Sequence, residues 1–214
     1  AITTGNSNTI VGGYAGDAQT TAANSTFIGQ SAGGAVTTGD SNTAVGMIAL
    51  DACTTGATNV AIGGNSLGAL TTGSNNVVVG VDAGDAITTG HENVYIGKNA
   101  GGTSTTAGYN ICIGNGAGNG GTTTGDHNII MGHACGDAIT SGANNIAIGQ
   151  SAFTTATSGD GNVCIGAEAL YYKETSATNT AIGNAAGKAV TTGASNSVVG
   201  AYSGDAITSG SNNS

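Results

Sequence analysis

The chain has 214 residues with 40 Gly, no Pro, no Trp and only 7% charged residues, a composition unlike that of an ordinary globular domain. Its formal net charge of −9 argues against nucleic acid and anionic membrane surfaces as partners, because like charges repel. Disordered chains are usually rich in Pro and charge, whereas this one is 38% hydrophobic, and no apolar run reaches the roughly 18 residues of a transmembrane helix.

A short phrase that ends in glycine repeats along the whole chain. Successive copies of this glycine are 17 residues apart, except for one interval of 18. Such a short period predicts a solenoid, in which each repeat forms one turn, here called a coil and named after its anchor glycine. Residues 1–214 are therefore predicted to form a single β-solenoid array of about twelve coils, cut from a longer fibrous protein. The anchors are Gly12, Gly29, Gly46, Gly63, Gly80, Gly97, Gly114, Gly132, Gly149, Gly166, Gly183 and Gly200.

Each coil is predicted to contain two short parallel strands. The first is the phrase that ends at the anchor, such as residues 145–149 (NIAIG), and the second has the form AITT, because β-branched residues between Gly and Asn favour strands over helix. The Val, Ile or Met before each anchor, for example Ile148, is predicted to lie in the core. The Asn that begins the phrase is predicted to adopt a left-handed turn conformation and to hydrogen-bond to its equivalents in neighbouring coils.

The middle residue of the first strand points away from this predicted core and is apolar in every coil, although its size varies. A strand at the surface of a monomer normally has a polar outer face. This uneven apolar column is therefore predicted to contact another copy of the same chain. Its members are Ile10, Phe27, Ala44, Ala61, Val78, Tyr95, Cys112, Ile130, Ala147, Cys164, Ala181 and Val198.

The repeated phrase resembles the head repeats of trimeric autotransporter adhesins and the repeats of phage and viral tail-fibre proteins. The resemblance covers essentially the whole chain and is clearest at residues 59–63 (NVAIG), 145–149 (NIAIG) and 179–183 (NTAIG). It implies a left-handed parallel β-roll, or β-solenoid, and a homotrimer. The 17-residue period departs from the shorter unit of the adhesin family.

The expected function is structural: a shaft in a viral or phage tail fibre that supplies length, rigidity and display for attachment at the virion surface. A bacterial cell-surface adhesin head, which is extracellular, is the alternative. Expected partners are further copies of the chain, flanking fibre domains and a host surface receptor. No contact with nucleic acid or with a membrane is expected of this segment.

No catalytic, cofactor-binding or metal-binding residues are predicted, and the chain is not expected to be an enzyme. Gly116, Gly118 and Gly121 match the spacing of a dinucleotide-binding loop, but the long strand, the helix and the distal acidic residue of that motif are missing. The cysteines lack metal-binding spacing and are expected to be buried free thiols. They are Cys53, Cys112, Cys135 and Cys164.

The remaining titratable residues are expected at the surface. This applies to His91, His127 and His133, which occupy variable polar positions of the repeat. Five aspartates share one column but never occupy adjacent coils, a spacing that separates like charges and explains the column without a cation. They are Asp17, Asp51, Asp85, Asp137 and Asp205.

Two features keep other interpretations open. Regular threonine columns are typical of ice-binding solenoids, but the consecutive threonines here point to opposite faces, and an ice-binding plane needs two outward columns on one flat strand. Ice binding is therefore the lesser alternative. Tyr171, Tyr172 and Lys173 replace the usual sequence of one coil; a variant that packs on its own turn is favoured over a contact site.

Overall fold

A computed structural model describes residues 4–120, 124–172, 175 and 177–214. The described residues contain strands and turns and no helix, so the predicted fold class, an all-β parallel β-solenoid, is confirmed. Each coil contributes one strand of three residues. The strands are β1 (Thr9–Val11), β2 (Thr26–Ile28), β3 (Thr43–Val45), β4 (Val60–Ile62), β5 (Val77–Val79), β6 (Val94–Ile96), β7 (Ile111–Ile113), β8 (Ile129–Met131), β9 (Ile146–Ile148), β10 (Val163–Ile165), β11 (Thr180–Ile182) and β12 (Ser197–Val199).

The strands belong to two compact units. Residues 1–108 carry β1 to β6, and residues 109–214 carry β7 to β12. Within each unit every strand pairs in parallel with the next, and paired residues are one repeat apart, as Val60 and Val77 are. Across the 18-residue repeat Ile111 still pairs with Ile129, so the extra residue is accommodated outside the strands. The sequence period is therefore the strand register itself.

The predicted second strand of each coil is not formed, and tight turns take its place. In the Gly80 coil, AITT (residues 86–89) lies in a turn and a bend. Asp82 and Gly84 just before it have φ angles of 54° and 55°, and left-handed residues at alternate positions prevent an extended chain. Coil-to-coil hydrogen bonds persist, because Thr88 N–H donates to the carbonyl of Thr105 at 2.8 Å. The turn side thus stacks coil upon coil as the strand side does.

The strands face the opposite way from the prediction. Their middle residues, the uneven column, lie in the core: Phe27, Ala61 and Tyr95 are each 0% exposed. The Val or Ile before the anchor points outward, as shown by Ile62 (39% exposed) and Ile96 (38% exposed). Both strand faces are apolar, so alternation alone could not decide which one is buried. The prediction that the uneven column contacts another chain is therefore wrong.

The uneven sizes in the core are balanced within each coil. Where the middle strand residue is large, as Phe27 is, the fourth residue after the anchor is Gly; a Cβ added at Gly33 would lie 2.7 Å from the Phe27 ring. Where the middle residue is Ala, as at Ala61, a buried Leu67 takes the fourth position with a left-handed φ of 51°. The same holds for Ala44 with Leu50, for Ala147 with Phe153 and for Cys164 with Leu170, whereas the small pairs Cys112 with Gly118 and Ala181 with Gly187 are the exceptions.

A buried ladder of asparagine amides runs beside the strands, as predicted. The Asn76 side-chain N–H₂ donates to Asn59 Oδ1 and to the carbonyl of Gly90, both at 3.0 Å. The Asn76 backbone N–H also donates to Asn59 Oδ1, at 3.1 Å. The predicted left-handed conformation is one residue out of place: it belongs to Asn75, at φ 62°, immediately before the ladder. Each amide is thereby satisfied by neighbours in sequence-equivalent positions rather than by water.

Candidate functional site

The residues that the sequence marks for chemistry are dispersed in the structure. In the described part of the chain, no group of three or more His, Cys, Asp or Glu side chains is placed to hold a metal ion. Nor does that part contain a helix long and apolar enough to cross a membrane.

The glycine-rich stretch follows the ordinary rules of the repeat. Gly116 and Gly118 both have a φ of 65° and occupy the two left-handed positions after the anchor. A Cβ at Gly118 would lie 2.9 Å from Cys112 Sγ, so packing also requires glycine there. Gly121 lies outside the described residues. Gly116 and Gly118 therefore serve the turn geometry of one coil.

The four cysteines are buried free thiols, as predicted. Burial raises the pKa of Cys53 to about 11 and that of Cys135 to about 12. For Cys112, burial and the nearby Cys135 thiol raise the pKa still further. Because the thiolate is the reactive form, these side chains act as small apolar residues of the core.

The three histidines and the aspartate column lie at the periphery. His91, His127 and His133 are all exposed, and the His127 ring stacks on Tyr109 with 4.8 Å between ring centroids. In the first unit the aspartates alternate with Gly, and a shallow cavity of about 500 Å³ lies over Gly34, beside Asp17 and Asp51. Burial raises the pKa of the Asp137 carboxyl. None of these groups is brought together with another in an arrangement that supports catalysis.

The Gly166 coil, which contains Tyr171 and Tyr172, packs largely on the next coil. The rings of Tyr171 and Tyr172 meet edge to face, with 4.8 Å between centroids. Lys188 of the next coil lies 5.5 Å from the Tyr171 ring centroid and pairs with Glu168. Tyr172 remains 50% exposed. Lys173 lies outside the described residues, so a coil that packs on its own turn stays the prediction, with a contact site as the alternative.

The surface with the most distinctive composition is the outward face of the strands, called here the outward sheet face. It consists of the first and third residue of each strand, two columns that lie on the same side because side chains alternate along a strand. From β4 to β10 both columns are entirely aliphatic, whereas Thr or Ser occupies the first column elsewhere. The first column is Thr9, Thr26, Thr43, Val60, Val77, Val94, Ile111, Ile129, Ile146, Val163, Thr180 and Ser197, and the third strand residue gives the second column.

The geometry of the outward sheet face follows from strand spacing. Strands lie about 4.8 Å apart and a three-residue strand is about 10 Å long, so the six strands of each unit present a surface of about 300 Å². Both columns of this surface are apolar from β4 to β10. The largest contiguous apolar patch on a typical monomer is about 300–600 Å², so the face of one unit is comparable with such a patch. In the first unit Met47 (58% exposed) and Val81 (49% exposed) follow their anchors directly and extend the apolar surface.

The paired threonines outside the strands are divided between two roles. The first hydroxyl of each pair is part of the scaffold: Thr71 Oγ1 donates to the carbonyl of Thr88 at 2.9 Å. The second threonine, such as Thr72, is exposed and forms a single column. The threonine pairs therefore do not form a plane, in agreement with the sequence argument. Two outward columns on one strand do exist, on the outward sheet face.

One signal in the sequence could have identified the outward face. Apart from Met131 and Ser197, both of its columns contain only β-branched residues of similar size, whereas the inner column varies from Ala to Tyr. Uniform β-branched residues are what cross-strand stacking on an open sheet favours. Variation in side-chain size is typical of a core position when a second core position, here the fourth residue after the anchor, can compensate for the change in volume.

No family model, no curated protein and no solved structure matches this chain.

Proposed function

We propose that this chain is a structural shaft segment that gives a fibre length and rigidity. The observation that carries the proposal is the continuity of the bonding between coils. In each unit every coil is tied to the next by a strand pair, by turn-side backbone hydrogen bonds and by the asparagine ladder. Such a chain gains length by adding one 17-residue coil at a time, with the same contacts at each step.

The proposed setting is a viral or phage tail fibre, with a bacterial cell-surface adhesin head as the alternative. The resemblance of the repeated phrase to the repeats of both groups supports these two settings, as does a surface with few cations. The proposed assembly is a homotrimer with flanking fibre domains, and a host surface receptor is the expected target of the fibre. The flanking coding sequence distinguishes the two settings: a membrane-anchoring barrel selects the adhesin, and a particle-attachment or chaperone domain selects the fibre.

Ice binding is the second candidate, and one observation favours it. The outward sheet face has two columns on one strand, which is the arrangement that an ice-binding plane needs. Its composition opposes the idea, because hydroxyl side chains occur only at Thr9, Thr26, Thr43, Thr180 and Ser197. Thermal hysteresis at millimolar protein would favour ice binding over the structural function, and its absence is the expected result.

Stretching single molecules between their chain ends tests the structural proposal. A coil that unravels releases 17 residues, or roughly 55 Å of chain after subtraction of one strand spacing. We expect a series of such steps, because each coil contacts only its neighbours. A variant that lacks residues 60–76 removes one whole coil in register and should show one step fewer. Collapse of the complete chain in a single event at low force would contradict the proposal.

A further inference from the structure

We infer that copies of this chain associate through the outward sheet face, each copy contributing the same face. The inference rests on the proposed structural function, for which it names the partner and the contact. It replaces the uneven column, which is buried in the core, with the two outward columns of the strands. The occupant of the face is thus a second copy of this chain.

The area of the outward sheet face supports this choice. Each unit offers about 300 Å², so one unit paired with its counterpart in another copy buries about 600 Å², and the two such pairings that a chain offers bury about 1,200 Å² in total. This value lies at the lower end of the range for specific protein interfaces, about 1,200–2,000 Å². The exposed Met47 and Val81 at its margin add to it. A second copy therefore supplies a matching surface of sufficient size.

The charge distribution favours contact between two copies at the outward sheet face over contact at the turn side, which carries the aspartates. The net charge is −9, so two copies repel each other wherever carboxylates face carboxylates. No strand residue is charged, and the aspartate column (for example Asp51 and Asp85) lies on the turn side of the coil. The outward sheet face is thus a surface on which two acidic copies can approach without bringing carboxylates face to face.

The residue types on the outward sheet face fit a protein partner better than a lipid surface. Proteins that lie on membranes combine apolar residues with Lys, Arg and interfacial aromatic side chains. The two outward columns contain only Val, Ile, Met, Thr and Ser. Flat β-branched ladders of this kind pack well against an identical ladder, because their side chains have few rotamers to lose.

A pair of lysine substitutions on the face tests the inference. Val77→Lys together with Ile96→Lys changes two outward positions of neighbouring coils, each 38% exposed. Lysine lowers the net negative charge, so a loss of association cannot come from added repulsion between acidic chains. The mass of each protein is measured by light scattering over a dilution series. The unsubstituted chain should form particles of two or three times 20.2 kDa, and the double variant should remain at 20.2 kDa.

The matched control carries the same charge change on a different face of the same coils. Thr72→Lys together with Thr89→Lys alters the exposed threonine column and should leave the assembly unchanged. A corresponding pair in the second unit, Ile146→Lys with Ile165→Lys, should also weaken assembly. Hydrogen exchange of Asn76 and Asn93 verifies that the variants of the first unit remain folded, and that of Asn145 and Asn162 does so for the second unit.

Three results would overturn the inference. These are a monomeric unsubstituted chain at all concentrations, an assembly that both lysine pairs on the sheet face leave intact, and equal dissociation by the threonine-column control. If the monomer instead binds vesicles or ice through this face, the occupant is the lipid or the ice. Stepwise stretching with no self-association would refute this inference and leave the structural function standing, whereas association without stepwise stretching would refute the structural function.

Discussion

An exchange of side-chain sizes between Phe27 and Gly33 tests how the core of each coil is filled. Phe27 is fully buried, and truncation of such a residue to Ala costs about 3–5 kcal/mol, since a cavity remains. Gly33→Leu alone places a side chain where a Cβ already lies 2.7 Å from the Phe27 ring, so overpacking costs about 1–3 kcal/mol. The left-handed φ of 59° adds about 1–2 kcal/mol.

The double variant should lose far less stability than the costs of the two single substitutions predict. Phe27→Ala with Gly33→Leu reproduces the arrangement of the Gly63 coil, in which Leu67 packs above Ala61 at the same left-handed φ. Only the φ strain then remains, so the double variant should lose about 1–2 kcal/mol, and the coupling energy should be about 4–8 kcal/mol.

The suitable assay is native-state hydrogen exchange of the amides around Phe27, because long repeat arrays need not unfold in a single transition. The reverse cycle, Ala61→Phe with Leu67→Gly, is the matched control and should show coupling of the same sign. If Gly33→Leu fails to restore protection to the Phe27→Ala variant, size compensation within a coil is wrong.

Three further predictions address the faces, the ladder and the carboxylates. Ile148→Asp should leave its coil folded, because Ile148 points outward. Ala147→Asp buries a charge and should abolish the protection of the Gly149 coil from hydrogen exchange. An equal loss of protection in both variants would refute the orientation of β9. Asn76→Ala removes the acceptor of the Asn93 amides and should lower the opening free energy measured by hydrogen exchange by about 2–4 kcal/mol. Asn76→Ser should cost less, because Ser25 already accepts a hydrogen bond from the Asn42 amide in this column. Burial, and then the Asp82 carboxylate, raises the pKa of Asp85 above 3.8. Its contribution is therefore present below pH 3.8 and lost as the pH rises through the raised value, and Asp85→Asn should flatten the pH dependence of stability in that window.

The period, the parallel register and the asparagine ladder follow from the sequence because all three depend on identity between coils. Asn59, Asn76 and Asn93 can form one ladder only if each repeat places them alike. The turn side could not be predicted in the same way. Its path depends on left-handed residues such as Asp82 and Leu67, whose side chains do not mark that conformation as Gly does.

The outward sheet face was misassigned because a solenoid this thin needs only one strand column to fill its core. With apolar residues on both faces, alternation permits either orientation, and the volume of the turn-side residues decides. Leu50, Leu67, Phe153 and Leu170 occupy the space that a small middle residue leaves, which is possible only if the middle residue points inward. The identity of the buried strand face is therefore contained in the relation between the sizes of the middle strand residue and the fourth residue after the anchor. The composition of either position alone does not contain it.

The contrast between the two strand faces also bears on function. Variation in the inner column is compatible with the fold, because most coils compensate for it locally. Within the chain the outward columns lie beside their equivalents in neighbouring coils, so packing inside the coil does not require Val60, Val77 or Ile146 to be aliphatic. Strand propensity does not require it either, since Thr is also β-branched and occupies the same position at Thr26 and Thr43. The proposed self-association through the outward sheet face would explain why both columns are apolar from β4 to β10.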